Sequence, residues 1–332
     1  MRVIKSRYLI IGAAFSSIAF CPQGHAQTTT LKLINEYPAT SITAAADLDF
    51  AASVDKLSNG KIKIETLQEK NDPYKGAGQV DAVSQNKVQM GTLFGGILGA
   101  RDSLFLLSSL PFAAKDFQQA KSLFTCAKPV LEDRLKKLDA RLLYVTPWPP
   151  SGIWSTKPLA TKTDLQALKI RTYDETSKSV FERLGAQSVN LPYSALAEKL
   201  KAGDLNAVLT SGDGGAGRKL WDLLPYFTAV NYSIPLSYTI INNATWNSLS
   251  KEQQSVLDKA AQEVADASWA GVEKRIQANY SRMSEHKMTL NTQPSASINQ
   301  ALKDSGAAET KAWLQKNKLT DKDAACLLEG KS

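Results

Sequence analysis

Two kinds of hydrophobic spacing alternate along the chain, and their order limits the fold more than any other feature. Leu31 and Leu33 alternate with polar residues, the two-residue period of a strand. Apolar residues then recur at helical spacing, with Leu48, Ala51 and Ala52 in one row and Phe50, Val54 and Leu57 in another. Thr40, Ser41 and Thr43 offer N-caps, Asn59-Gly60 is a stop, and Ile62 and Ile64 alternate again. A strand-helix-strand run predicts parallel strands joined by a crossover helix. The pattern returns later. Leu168 and Ile170 mark a strand, Ser177 to Leu184 a helix stopped by Gly185, and Ser188-Val189 a short strand. Pro192 starts a helix that ends near Gly203, and Leu205 to Leu209 is again a strand. The stiff segment Pro147-Trp148-Pro149-Pro150 joins the two α/β blocks. From Ser250 to about Met288 the chain reads as one long helix, with Val256, Ala260, Val264 and Ala267 as its apolar stripe.

The N-terminus sets the compartment. Arg2, Lys5 and Arg7 precede an apolar run from Leu9 to Phe20, and Gly24-His25-Ala26 offers a small-x-small cleavage site before Gln27. The run is shorter than the roughly 20 apolar residues of a membrane span. Residues 1–26 are therefore expected to be a cleaved signal peptide, and the mature chain a periplasmic protein. Cleavage leaves about 306 residues, enough for roughly two domains. It removes three basic side chains and no acidic one, lowering the formal net charge from +8 to +5. No basic cluster is interleaved with aromatics, which argues against nucleic acid as a partner.

Cysteine and histidine usage narrows the chemistry. Cys126 and Cys326 are the cysteines that remain after cleavage, and in an oxidising compartment such a pair reads as one disulfide, with two separate buried thiols as the alternative. His286 is the one mature histidine and lies in the polar segment Ser284-Glu285-His286-Lys287, the pattern of a solvated helix face. A histidine metal site or a Ser-His-Asp triad would have to rest on it alone, so no metal and no enzymatic activity are expected.

Gly212-Asp213-Gly214-Gly215-Ala216-Gly217 matches the dinucleotide fingerprint, after a strand and before a helix expected over Arg218 to Leu224. No acidic residue stands near position 237 to hold a ribose, and Arg218 and Leu220 occupy the Lys and Ser/Thr positions of a P-loop. The motif reads instead as a flexible turn whose backbone amides can approach a ligand, and no cofactor is expected.

Arg171 ends the strand Leu168-Lys169-Ile170-Arg171. Open α/β sheets bind ligands beyond the carboxyl ends of their strands, and a guanidinium there matches a carboxylate with two parallel hydrogen bonds. The surrounding segments carry a family likeness. Asn35-Glu36-Tyr37-Pro38, Ser58-Asn59-Gly60-Lys61-Ile62, Leu110-Pro111-Phe112, Ala167-Leu168-Lys169-Ile170-Arg171, Leu184-Gly185-Ala186, Leu191-Pro192-Tyr193, Ala202-Gly203-Asp204 and Asn242-Asn243-Ala244-Thr245-Trp246 occur in this order. The chain resembles the periplasmic substrate-binding proteins of TRAP transporters, the DctP family, over almost its whole mature length.

The resemblance implies an α/β fold of two lobes, each a mixed, mostly parallel sheet flanked by helices, with a long C-terminal spine helix. Lobe I would hold residues 27–148 and 236–275, and lobe II residues 149–235 and 276–332. It implies that Arg171 pairs with a ligand carboxylate, that Tyr193 flanks the ligand, and that Glu36 is a first-loop contact. Phe94 falls where a cleft strand ends, and Trp148, Ser151, Asp174 and Thr210 complete the expected ligand set. Thr210 stands where family members commonly carry an Asn, and Ser151-Gly152 replaces a second arginine of sugar-acid binders. With Trp148, Trp154, Phe94 and Tyr193 the expected cleft is aromatic, although Trp154 and Phe94 could equally be core. These departures favour a monocarboxylate with an apolar or aromatic body. A monomer that closes on an organic acid and delivers it to TRAP membrane subunits is the function implied, with ligand sensing for a membrane receptor kinase as the alternative.

Overall fold

The computed structural model describes residues 28–317. Strands β1 (Thr29–Asn35) and β2 (Ile62–Gln68) pair in parallel across α1 (Ile42–Leu57). Ser41 is the N-cap of α1, its hydroxyl accepting from Ala44 N, and Asn59 and Gly60 turn the chain at positive φ. The first lobe continues through α2 (Ala77–Ser84), β3 (Met90–Phe94), α3 (Gly95–Gly99), α4 (Phe117–Lys136) and β4 (Ala140–Pro147). Trp148-Pro149-Pro150 then leads into the second lobe: β5 (Ser151–Ser155), α5 (Lys162–Gln166), β6 (Lys169–Thr172), α6 (Glu175–Leu184), β7 (Gln187–Asn190), α7 (Leu196–Lys201), β8 (Ala207–Ser211), α8 (Gly212–Gly217) and β9 (Tyr226–Thr228). The chain returns to the first sheet as β10 (Leu236–Asn242), followed by α9 (Asn243–Ser248), α10 (Lys251–Glu285), β11 (Thr289–Asn291) and α11 (Ala296–Asn317).

The strand orders are β2-β1-β3-β10-β4 and β11-β9-β5-β8-β6-β7. In the first sheet β10 runs antiparallel to both neighbours, and in the second β5 does the same. These are the first strands after the chain crosses from the first lobe to the second and back; β11, reached through α10, runs parallel to β9.

Helix α10 is a spine shared by both lobes. Ser250 and Gln253 form its capping box. Leu257, Ala260, Ala261 and Val264 enter the first lobe's core, and Val272 and Met283 enter the second's. The buried row thus uses Leu257 and Ala261 where the sequence suggested Val256 and Ala267; Ala267 is exposed. Helix α11 is also shared, rather than lying wholly on the second lobe. Ile298 and Leu302 pack in the second core, whereas Trp313 joins the first and donates from Nε1 to Ser103 O at 3.0 Å.

Two further expectations change. The glycine run is no flexible turn. It is helix α8, capped by the Ser211 hydroxyl, and its missing side chains allow close packing. A Cβ on Gly215 would sit 2.0 Å from the Trp154 ring, and one on Gly214 would sit 2.4 Å from Thr210 Oγ1. The helix expected over Arg218–Leu224 shrinks to a single tight turn, Leu220–Asp222. His286 ends α10 and lies flat on Trp221, ring centroids 4.0 Å apart. Cys126, on α4, is disulfide-bonded; its expected partner Cys326 lies outside the described residues.

Candidate functional site

Arg171 stands near the C-terminal end of β6, held in register by β7 and β8. Only 3 % of its surface is exposed. Its Nε donates to Leu191 O at 2.8 Å, which orients the guanidinium and leaves both terminal nitrogens for another acceptor. Among the described residues no carboxylate forms an ion pair with it. Burial depresses its pKa, while Tyr37, Glu36, Tyr193 and Tyr173 surround it and oppose that shift. A buried cation without a counter-ion is costly, and an anionic ligand would remove that cost.

The loop after β1 supplies the facing wall. Glu36 is buried, and Gly76 N donates to its Oε2 at 3.4 Å. Burial raises its pKa, against the Gly76 hydrogen bond and the nearby charges of Arg171 and Lys75. The Tyr37 ring lies against Trp148 and Tyr193, with centroids 4.7 and 4.6 Å away. Trp148 donates from Nε1 to Ser237 Oγ at 2.9 Å. The Tyr193 hydroxyl donates to Gly214 O, and the Arg218 guanidinium covers the Tyr193 ring at 4.3 Å.

Phe94 and Ser151 reach the same region through Tyr173. Phe94 meets the Tyr173 ring edge-on at 5.3 Å, and the Tyr173 hydroxyl bonds Ser151 Oγ at 3.1 Å and Ser233 Oγ at 2.8 Å. Thr210 is two residues beyond Val208, the β8 partner of Arg171. Asp174 Oδ1 caps α6, accepting from Thr176 Oγ1 and from both N and Oγ of Ser177, while its buried Oδ2 has no hydrogen-bond partner among the described residues. Trp154 belongs to the second lobe's core, where it packs on Phe227 and donates to Ser211 O. A surface hollow of about 690 Å³, lined by Phe112, Phe117, Ile234, Ile276 and Lys303 among others, touches none of the residues around Arg171.

Glu36, Tyr37, Phe94 and Trp148 come from the first lobe, and Arg171, Tyr173 and Tyr193 from the second. Their contacts make this a closed arrangement. Asp213 fastens it: buried on α8, it accepts from Ile42 N at 2.8 Å, from Asn279 at 2.9 Å and from Arg275, which also donates to Thr40 O. The ion pair of Arg218 with Glu69, at 3.7 Å, adds a more exposed bridge. Sequence reasoning overlooked Tyr37, Tyr173 and Arg218 as site residues. Tyr37 and Tyr173 did carry a signal, because each lies just past the end of a parallel strand.

Residues 35–316 match the DctP family, bacterial extracellular solute-binding protein, family 7. The chain belongs to this family. Its fold is that of a marine-metagenome TRAP solute-binding protein specific for pyroglutamate, with 26% identity and a TM-score of 0.86 over 92% of this chain and 99% of that one. An extracytoplasmic solute receptor of Bordetella pertussis binding pyroglutamic acid is 25% identical, with a TM-score of 0.85 over 91% of this chain and 99% of that one. The sialic acid-binding periplasmic protein of Vibrio cholerae is 23% identical over 161 residues, 48% of this chain and 50% of that protein. Membership makes this a solute-binding protein of the extracytoplasmic class, with the fold of receptors rather than of enzymes. No helix among the described residues is long and apolar enough to cross a membrane.

Proposed function

We propose that this DctP-family protein captures a compact monocarboxylate in the periplasm, closes its lobes on it, and delivers it to a TRAP-type membrane transporter. One observation carries the reading: the Arg171 guanidinium is buried between the lobes, oriented by Leu191 O, and has no protein carboxylate paired with it among the described residues. The ligand carboxylate takes the two free nitrogens. Tyr37, Tyr193 and Trp148 enclose the ligand body, with Phe94 and Tyr173 on the far side, while Glu36, Ser151 and Thr210 offer polar contacts. Several aromatic rings and one guanidinium suit a single carboxylate on a small, partly apolar frame. The two pyroglutamate binders of similar fold support that ligand class. Closure is a population shift, driven because the ligand touches both lobes only in the closed form.

Thermal shift against a panel of carboxylates tests this. A ligand at a hundred times its dissociation constant adds about 2.7 kcal/mol of stability. Pyroglutamate or another monocarboxylate should give the largest shift, and a buried polar group left unpaired, at roughly 1–3 kcal/mol, should disfavour succinate and hexuronates. A C4-dicarboxylate or a hexuronate as the best ligand would overturn the assignment.

A further inference from the structure

We infer that Asp47 is a positioning residue for the ligand site, acting through Asn35 to fix the loop that carries Glu36 and Tyr37. The inference rests on the site proposed above. Asp47 lies in the second turn of α1, and both it and Asn35 are fully buried. Tyr37 N donates to Asn35 Oδ1 at 3.0 Å. On its other side Asn35 Nδ2 donates to Asp47 Oδ2 at 2.7 Å. Asp47 Oδ1 in turn accepts from Thr92 Oγ1 on β3 at 2.6 Å and from Tyr144 Oη on β4 at 2.8 Å.

The polarity of this relay runs one way. A backbone N–H can only donate, so the Asn35 amide must turn its oxygen toward Tyr37 and its nitrogen toward Asp47. The residue at position 47 must then accept on that side. An ionised carboxylate meets this demand whichever way the surrounding hydroxyls rotate, because it only accepts. The carboxylate is otherwise an expensive choice. It is buried, and among the described residues no cation pairs with it. Anchoring a helix on a sheet needs no such group. What Asp47 adds is a fixed orientation of Asn35, and through it a fixed Tyr37 backbone. Tyr37 is the ring wedged between Trp148 and Tyr193, beside Arg171.

Exchanging the two polar ends of the relay tests it. Asn35→Asp places two carboxylates in a 2.7 Å contact, which they can hold only by sharing a proton. In N35D the affinity for pyroglutamate should fall about tenfold or more as pH rises from about 5 to about 8, and the Tyr37 amide resonance should shift with it. Adding Asp47→Asn restores one donor facing one acceptor, so N35D/D47N should return both readouts close to the parent's. Tyr144→Phe removes a different bond to Asp47; it should lower stability and leave affinity and the Tyr37 resonance unchanged. The positioning role is overturned if the double variant fails to recover, if N35D leaves the Tyr37 resonance in place, or if Y144F weakens binding as N35D does. The resonance needs no ligand, so a parent that ignores pyroglutamate would rule out that one ligand, and the relay would still be judged on the Tyr37 resonance and on affinity for the best monocarboxylate of the panel.

Discussion

Replacing Arg171 with alanine should abolish ligand binding and spare the fold, and the structure sets the size of both effects. Nε is committed to Leu191 O, so the ligand carboxylate meets the two terminal nitrogens. Two charge-assisted hydrogen bonds at about 1.5–3 kcal/mol each give a gross loss of about 3–6 kcal/mol. Truncating one member of a buried charge pair costs roughly 2–5 kcal/mol by measurement on other complexes. A loss near 4 kcal/mol is about a thousandfold in Kd. The free protein gains from the same change, because burial disfavours a guanidinium that no carboxylate pairs with among the described residues. That gain offsets the lost bond to Leu191 O, so the melting temperature without ligand should stay within a few degrees of the parent's. Arg171→Lys keeps a charge but loses the planar fork, and should bind at least about tenfold more weakly. Calorimetry with pyroglutamate and the carboxylate panel reads affinity, and thermal unfolding without ligand reads the fold. Affinity within tenfold of the parent in R171A would remove the guanidinium from the site.

Asp213→Ala should cost about 3 kcal/mol, toward the lower end for breaking a buried pair because Arg275 is partly exposed and can rehydrate. It should also speed ligand release, since the bond from Ile42 N joins the lobes; stopped-flow release as slow as the parent's would contradict the closing role. Burial raises the Asp47 carboxyl from its ordinary 3.8 to about 6, so between those values the folded protein holds a proton that the unfolded chain has released. This group therefore lowers stability as pH rises through that window, by on the order of 3 kcal/mol. Denaturant unfolding of D47N should lack that part of the slope, and pH profiles identical to the parent's would refute it. Peptide mapping of unreduced protein should find Cys126 joined to Cys326, a loop of about 200 residues worth up to about 5 kcal/mol; two free thiols would end that expectation.

Much of the fold was legible in local pattern. The period-two strands at Leu31 and Ile62, the intervening helix, the Gly185 stop at φ 94 and the long helix begun at Ser250 all lie where the spacing put them. So does Arg171, because a guanidinium ending an apolar strand is a statement about four consecutive residues. The glycine run misleads for a local reason too. Glycines signal freedom in a sequence, but here they signal absence of bulk, and the bulk they avoid is Trp154, supplied by a different strand.

The rest belonged to the tertiary structure. Periodicity says which face of an element is buried and is silent on what covers it. Trp148 and Trp154 look alike in sequence, six positions apart on one stretch of chain. The first turns toward Tyr37 and the second into the lobe's interior, because β5 faces β8 and α8 there. Ile42 and Asp213 are 171 residues apart, and Tyr37 meets Tyr193 only where the lobes close. Local sequence determines strands, helices and caps, since those depend on neighbours a few residues away. Which side chains share a buried site depends on long-range packing and on the angle between two lobes, and those are set by the summed contacts of the whole chain.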